Sequence, residues 1–121
     1  MNQMQKTRIM LYVTDVDRSV KFWQDYFELP VVAKTPLADG SQNVVLTVNV
    51  GTELSLFSRS FIAAYSPEVL NNVPSLMLFS DRFEELHDEL PGATEIVDDN
   101  GQLAFGFPDP DGTYFAVGQV K

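Results

Sequence analysis

Apolar and polar residues alternate over several short segments of this chain, and a helical spacing of apolar residues follows the first of them. Residues 8–13 alternate and are rich in β-forming side chains, so they predict a strand. Val16, Val20, Trp23 and Phe27 then recur at the spacing of one helix face. Three further strands are predicted near residues 31–36, 43–50 and 53–58. The first half therefore predicts a βαβββ unit.

The second half predicts the same order of elements. A strand at residues 75–80 precedes a helix in which Phe83, Leu86 and Leu90 form the buried stripe. Asp81-x-x-Glu84 has the pattern of a capping box at the start of that helix. Strands are predicted near residues 94–98, 102–107 and 113–119.

Short motifs repeat between the two halves in the same order. Ile9-Met10-Leu11-Tyr12 recurs as Leu76-Met77-Leu78-Phe79, Glu28-Leu29-Pro30 recurs as Glu89-Leu90-Pro91, and Gly51-Thr52 recurs as Gly112-Thr113. The offset is 67 residues for the first motif (76−9) and 61 for the other two (89−28, 112−51), so the second copy is shorter before its Glu-Leu-Pro. We expect one domain over residues 1–121, with modules at about 7–58 and 75–119 and a connector at about 59–74.

Composition narrows the class of protein. A chain of 121 residues with 45% hydrophobic residues is long enough to bury a core. The net charge of −9 argues against nucleic acid, and the absence of cysteine excludes disulfides and thiolate metal sites. No apolar run approaches the roughly 18 residues of a membrane span, and the first six residues lack the apolar part of a secretory signal. We therefore expect a cytoplasmic protein without a membrane partner.

Three motifs carry a resemblance to a known family. They are Val13-x-Asp15-x-x-Arg18-Ser19-x-x-Phe22-Trp23, Phe27-Glu28-Leu29-Pro30, and Phe107-x-Asp109-Pro110-Asp111-Gly112. Together they resemble the glyoxalase/bleomycin-resistance/dioxygenase superfamily, also called the vicinal oxygen chelate superfamily. The resemblance implies an α+β fold in which two tandem βαβββ modules form a cup-shaped mixed sheet, usually in a homodimer.

Metalloenzymes of that family carry His, Gln or Glu ligands at four equivalent strand positions. Carried over to this sequence, those positions hold Arg8, Ser55, Ser75 and Ala116. A guanidinium repels a metal ion, a hydroxyl is a weak ligand and alanine has no donor. The single histidine, His87, is predicted to be an isolated surface residue on the second helix. We therefore predict no metal and no other cofactor, and no catalytic residue is assigned.

Strand alternation predicts which side chains would line the cup instead. The predicted lining is Arg8, Met10, Tyr12, Glu53, Ser55, Phe57, Ser75, Met77, Phe79, Tyr114 and Ala116. Methionine and aromatic side chains with a few polar groups suit a small-molecule pocket, although the same side chains could fill the cup or pack in a dimer. Arg8 places a positive charge there, which Glu53 would offset if the two residues pair across neighbouring strands. The predicted ligand is a small apolar or aromatic molecule, neutral or carboxylate-bearing.

Three functions follow from this pattern. The favoured one is a metal-free protein that sequesters or carries such a molecule, and the others are a metal-dependent lyase, isomerase or dioxygenase and a dimeric interaction module without a ligand. The connector contributes Phe61, Ile62 and Tyr65, an apolar set that predicts a lid or a contact in a homodimer. Asp109 and Asp111 are interpreted as turn residues rather than an acid/base pair.

Overall fold

The computed structural model describes residues 3–121, which form eight strands, three α-helices and one 3-10 helix. In chain order these are β1 (Thr7–Val13), α1 (Val16–Phe27), β2 (Val31–Pro36), β3 (Gln42–Asn49), β4 (Thr52–Ser58), α2 (Arg59–Tyr65), the 3-10 helix (Pro67–Val69), β5 (Met77–Ser80), α3 (Phe83–Glu89), β6 (Val97–Asp99), β7 (Gln102–Pro108) and β8 (Tyr114–Gln119). The order is βαβββ in each half, with α2 and the 3-10 helix between them.

The strands form two four-stranded mixed sheets, one in each half. The strand orders are β1-β4-β3-β2 and β5-β8-β7-β6. In each sheet the first and last strands of the unit pair in parallel, and the other pairs are antiparallel. The predicted α+β fold of two tandem βαβββ modules is confirmed. The chain divides into two compact units between Pro74 and Ser75, which we call module one and module two and describe separately.

Helix α1 supplies the central core residue of module one. Asp15 caps the helix, because its Oδ1 accepts a hydrogen bond of 3.1 Å from the backbone N–H of Arg18. Glu28 ends it in the left-handed conformation, with φ of 55°. Trp23 is fully buried, whereas Val20 and Phe27 of the predicted stripe are only half-buried. Among residues 3–121, no helix has the length and apolar character needed to cross a bilayer.

Helix α3 begins later than the sequence predicts, and the prediction of a capping box at Asp81 is wrong. The N-cap position is Arg82, which makes no side-chain capping bond, so Asp81 lies one residue too early to cap the helix. The Ser80 hydroxyl instead accepts a 2.9 Å hydrogen bond from the backbone N–H of Arg82. Phe83 and Leu86 are buried as predicted. Module two therefore has the predicted apolar stripe on a helix of 7 residues, against 12 in α1.

The connector folds onto module one as a helix of its own. Ser58 caps α2, since its hydroxyl accepts a 3.0 Å hydrogen bond from the backbone N–H of Phe61. Ile62 is 5% exposed and Phe61 is half-buried, so part of the apolar surface predicted to need a lid or partner is covered within the chain, whereas Tyr65 stays exposed. Arg59 donates a hydrogen bond of 3.3 Å from Nη1 to the carbonyl of Leu70, which ties α2 to the segment after it.

The Asp-Pro-Asp-Gly segment is a turn, as the sequence predicts. Asp109 is 5% exposed, and its Oδ1 accepts hydrogen bonds from the backbone N–H groups of Asp111 and Thr113 at 3.0 and 2.9 Å. Gly112 occupies a positive φ of 81°. The carboxylate of Asp109 therefore organises the approach to β8.

Candidate functional site

The predicted lining residues of module one lie on one face of its sheet. The parallel register of β1 and β4 pairs Arg8 with Glu53, Met10 with Ser55 and Tyr12 with Phe57. Because side chains alternate along a strand, these three pairs form two adjacent rows on the same face. We call this surface the module-one face. The intervening Leu11, Leu54 and Leu56 are buried on the other side of the sheet.

One end of the module-one face is charged. Arg8 donates from Nε and Nη2 to Glu53 Oε1, at 3.1 and 2.9 Å, and Lys6 Nζ lies 3.5 Å from Glu53 Oε2. The side chain of Glu53 is 14% exposed, compared with 43% for Arg8 and 56% for Lys6. The hydrogen bonds from Arg8 lower the pKa of Glu53, partial desolvation opposes this shift, and the charge of Lys6 adds to it. With two cations around one carboxylate, the cluster retains a net positive charge.

A polar pair lies at the middle of the module-one face. Asn43 on β3 donates from Nδ2 to the Ser55 hydroxyl at 2.9 Å and to the carbonyl of Leu56 at 3.0 Å. Ser55 is 1% exposed, so its hydroxyl is held by a neighbouring strand and covered. The prediction considered only β1, β4, β5 and β8 and missed Asn43. The β3–β4 register, in which Val44 pairs with Leu56 and Val45 with Ser55, is the signal that could have identified it.

The other end of the module-one face is aromatic and continues onto α2. The rings of Tyr12 and Phe57 are 6.4 Å apart between centroids. Phe57 stacks on Phe61 at 6.1 Å and 14°, and Phe61 stacks on Tyr65 at 4.7 Å and 24°. Tyr65, the outermost ring, is 57% exposed. We call Phe57, Phe61 and Tyr65 the aromatic stack, and its two α2 members were predicted only as lid or dimer residues.

The predicted lining residues of module two include several exposed apolar side chains. Met77 pairs with Ala116 and Phe79 pairs with Gly118 in the parallel register of β5 and β8. A Cβ atom at Gly118 would lie 2.7 Å from both the Met77 Cε and the Phe79 ring, so these side chains occupy the space above that glycine. Met77 is 42% exposed and Phe79 58%.

Of the other predicted lining residues of module two, Tyr114 lies on β8 and Ser75 lies outside β5. Tyr114 begins β8 and is 60% exposed. Ser75 is exposed and precedes β5, so the predicted strand at residues 75–80 begins too early; the first bond to β8 runs from the Ala116 N–H to the Leu76 carbonyl at 2.9 Å. No charged residue is among these lining side chains.

His87 is on α3, but it is not an isolated surface residue. Its ring is 30% exposed, Nε2 lies 2.9 Å from the carbonyl oxygen of Thr94, and its edge packs on Phe105 at 4.9 Å between centroids. Phe105 pairs with Val117, on the side of the sheet opposite to Ala116. The imidazole therefore has a structural contact on the helix side of module two.

The four positions at which the family carries metal ligands do not fit a metal ion. Arg8 is a cation in an ion pair, the Ser55 hydroxyl accepts from Asn43, and Ala116 has no donor atom. Ser75 provides only an exposed hydroxyl outside β5. Within the described part of the chain, no three His, Asp or Glu side chains converge in a way that could hold an ion.

The two modules, their strand order and the motifs define a protein of the vicinal oxygen chelate type. The family model of the Glyoxalase/Bleomycin resistance protein/Dioxygenase superfamily matches residues 7–117. The chain therefore belongs to this superfamily. No curated protein matches the chain at a significant level.

Solved structures show the same fold at low sequence identity. A lactoylglutathione lyase from Agrobacterium tumefaciens has a TM-score of 0.72 and 22% identity, over 93% of this chain and 91% of that one. TnmS3, an antibiotic binding protein from Streptomyces sp. CB03234, has a TM-score of 0.72 and 18% identity, over 100% and 98%. A superfamily member from Sphaerobacter thermophilus DSM 20745 has a TM-score of 0.73 and 20% identity, over 95% and 96%. Neighbours with the same fold thus include both an enzyme and a binding protein.

Proposed function

We propose that this protein binds a small aromatic molecule bearing a carboxylate, without a metal, and sequesters or carries it. The observation that carries the proposal is the module-one face, where a net positive cluster and aromatic side chains lie on the same two strands. Arg8 is 43% exposed and uses two N–H groups on Glu53, so further guanidinium donors are available to a carboxylate. Met10 and Tyr12 follow it on β1 and provide the apolar wall.

The ion pair between Arg8 and Glu53 supports the binding of a ligand carboxylate by Arg8. Glu53 fixes the orientation of the Arg8 side chain, so less side-chain entropy is lost when a ligand binds. Lys6 leaves the cluster with one excess positive charge. The acidic residues elsewhere act through solvent and are screened beyond about 8 Å at physiological ionic strength. The local charge therefore favours an anion although the whole chain carries a net charge of −9.

Calorimetric titration with 1-naphthoate tests this proposal. Arg8→Ala should weaken binding about ten- to a hundredfold, as expected for loss of a charge-assisted hydrogen bond. Lys34→Ala is the matched control, because it removes one exposed cation from β2 of the same module. Naphthalene should bind more weakly than naphthoate to the native protein and show little dependence on Arg8. Tight binding of 1-naphthylmethylammonium that is unchanged or improved in Arg8→Ala would contradict the proposal.

A metal measurement separates this proposal from a metal-dependent lyase, isomerase or dioxygenase. The four family positions supply Arg8, Ser55, Ser75 and Ala116, which do not form a ligand set. We expect less than stoichiometric metal by elemental analysis of protein purified without chelator. Calorimetric titrations with Zn, Ni and Mn should show no tight site. One firmly bound ion per chain would overturn the metal-free part of the proposal.

We also propose that the protein is a cytoplasmic homodimer. Met77, Phe79 and Tyr114 are exposed apolar side chains on module two, and a second copy of the chain is the commonest way to cover such a surface. Light scattering should give twice the chain mass of 13.6 kDa at micromolar concentration. A mass of one chain would contradict the dimer. It would not affect the ligand proposal, which the naphthoate titration tests separately.

A further inference from the structure

The two ends of the module-one face are separated by a distance that limits what a ligand can contact. The Arg8–Glu53 pair and the Tyr12–Phe57 pair are four residues apart on both strands. At a strand rise of about 3.3 Å per residue, the two pairs are about 13 Å apart. A single aromatic ring with a directly attached carboxylate is shorter than this. Such a ligand can contact Arg8 or the aromatic end, but not both.

The aromatic end of the module-one face continues into three nearly parallel rings. Phe57, Phe61 and Tyr65 lie at small mutual angles, 14° and 24°, and Tyr65 at the end of the series is 57% exposed. Phe61 and Tyr65 are four residues apart on α2, so the helix holds both on one side. Aromatic side chains held in this way offer a planar ligand a stacking surface without further ordering of the protein.

From this geometry we infer that the ligand is an elongated aromatic acid, with a fused or linked ring system that reaches the aromatic stack while its carboxylate contacts Arg8. The inference rests on the proposed function and names the ligand class more narrowly. In this arrangement α2 is part of the binding site. Tyr65 acts as a positioning residue for the distal ring, and the Arg8–Glu53–Lys6 cluster sets the orientation.

A series of acids of increasing length tests the inference. Benzoate, 2-naphthoate, anthracene-2-carboxylate and 1-pyrenebutyrate are titrated into the native protein by calorimetry or ligand fluorescence. Affinity should rise along the series. Tyr65→Leu should weaken binding of 1-pyrenebutyrate about three- to tenfold, as expected for the loss of one aromatic contact, and leave benzoate unchanged. Tyr26→Leu on α1 is the matched control and should change neither ligand. Dodecanoate, which has a carboxylate but no ring, should not respond to Tyr65→Leu.

The outcomes separate this inference from the proposed function. Binding of the acids that depends on Arg8 but not on Tyr65 would overturn the elongated-ligand inference and leave the proposed function standing. No binding of any acid would overturn both. If Tyr65 is instead covered by a second copy of the chain, Tyr65→Leu would lower the mass measured by light scattering and leave 1-pyrenebutyrate affinity unchanged, which also overturns the inference.

Discussion

The corresponding faces of the two modules follow one repeated sequence pattern, but they carry different side chains and differ in exposure. Strands β4 and β8 show the contrast. Glu53, Ser55 and Phe57 on β4 correspond to Tyr114, Ala116 and Gly118 on β8. In module one, Ser55 is fully covered and bonded to a third strand. In module two, a glycine leaves space that exposed side chains occupy. A repeated pattern therefore sets the face on which a side chain lies, while its cross-strand neighbours decide whether it is covered and hydrogen-bonded.

Replacing the central core residue of module one should have the largest effect. Trp23 is fully buried, so Trp23→Ala should lower the free energy of unfolding by about 3–5 kcal/mol. Urea titration measures the loss, and Tyr26→Ala on the same helix, half-buried, should cost less. Hydrogen exchange on Trp23→Ala then sharpens the comparison by showing whether amides of module two lose protection together with those of module one. A loss below about 1 kcal/mol would mean that α1 does not anchor module one.

Two glycines of module two should respond differently to the same substitution. Gly92 has a φ of +73°, and a Cβ there would lie 2.9 Å from Pro108 Cγ, so Gly92→Ala should cost about 1–2 kcal/mol from the backbone alone. Gly118→Ala should cost less than about 1 kcal/mol, because Met77 and Phe79 are exposed and can rotate away. Thermal unfolding of both variants measures the difference. Equal losses would show that Met77 and Phe79 yield no more easily than Pro108 and would contradict this explanation.

The smallest expected effect is a change in how stability depends on pH. The pKa of Glu53 is lowered in the folded protein, mainly by its hydrogen bonds from Arg8, so ionisation of Glu53 favours the folded state. This contribution is fully present above the carboxyl pKa of the unfolded chain, about 4.3, and is lost as pH falls through the lowered value. The stability difference between the native protein and Glu53→Gln should therefore be greatest near neutral pH and shrink in acid. A difference that stays constant down to pH 2 would contradict the ion pair.

Most of the fold could be predicted because it depends on local patterns. The apolar spacing in α1 and the turns at Gly51-Thr52 and Asp109–Gly112 are signals carried by neighbouring residues. The predicted capping box was wrong because the same acidic residues are compatible with a helix that begins one residue later. Helix α2 was missed although Ser58, Phe61 and Tyr65 have the spacing of a capped helix, since the segment has no counterpart in the repeat.

The candidate site was less predictable, because its contacts join distant residues. Alternation placed Arg8, Met10 and Tyr12 on one face, and the structure agrees for module one. The contribution of Asn43 depends on the register between β3 and β4, which spans a turn and a bulge between Thr47 and Asn49. Alternation on β1 and β4 alone carries no information about a third strand. The ligand-binding roles of all these residues stay predictions until the titrations are made.

The parallel pairing of β1 with β4 has a consequence for the order in which the module-one face can form. Arg8 and Glu53 are 45 residues apart in the chain, and the three pairs that form the two rows of that face each join the first strand of the module to its last. Closing so long a loop costs entropy before any of these contacts can stabilise the chain, so non-local parallel pairing is slow to form. A nascent or truncated chain that ends before Thr52 has α1 and three strands but none of the paired rows. The paired rows of that face therefore form only when β4 is inserted between β1 and β3.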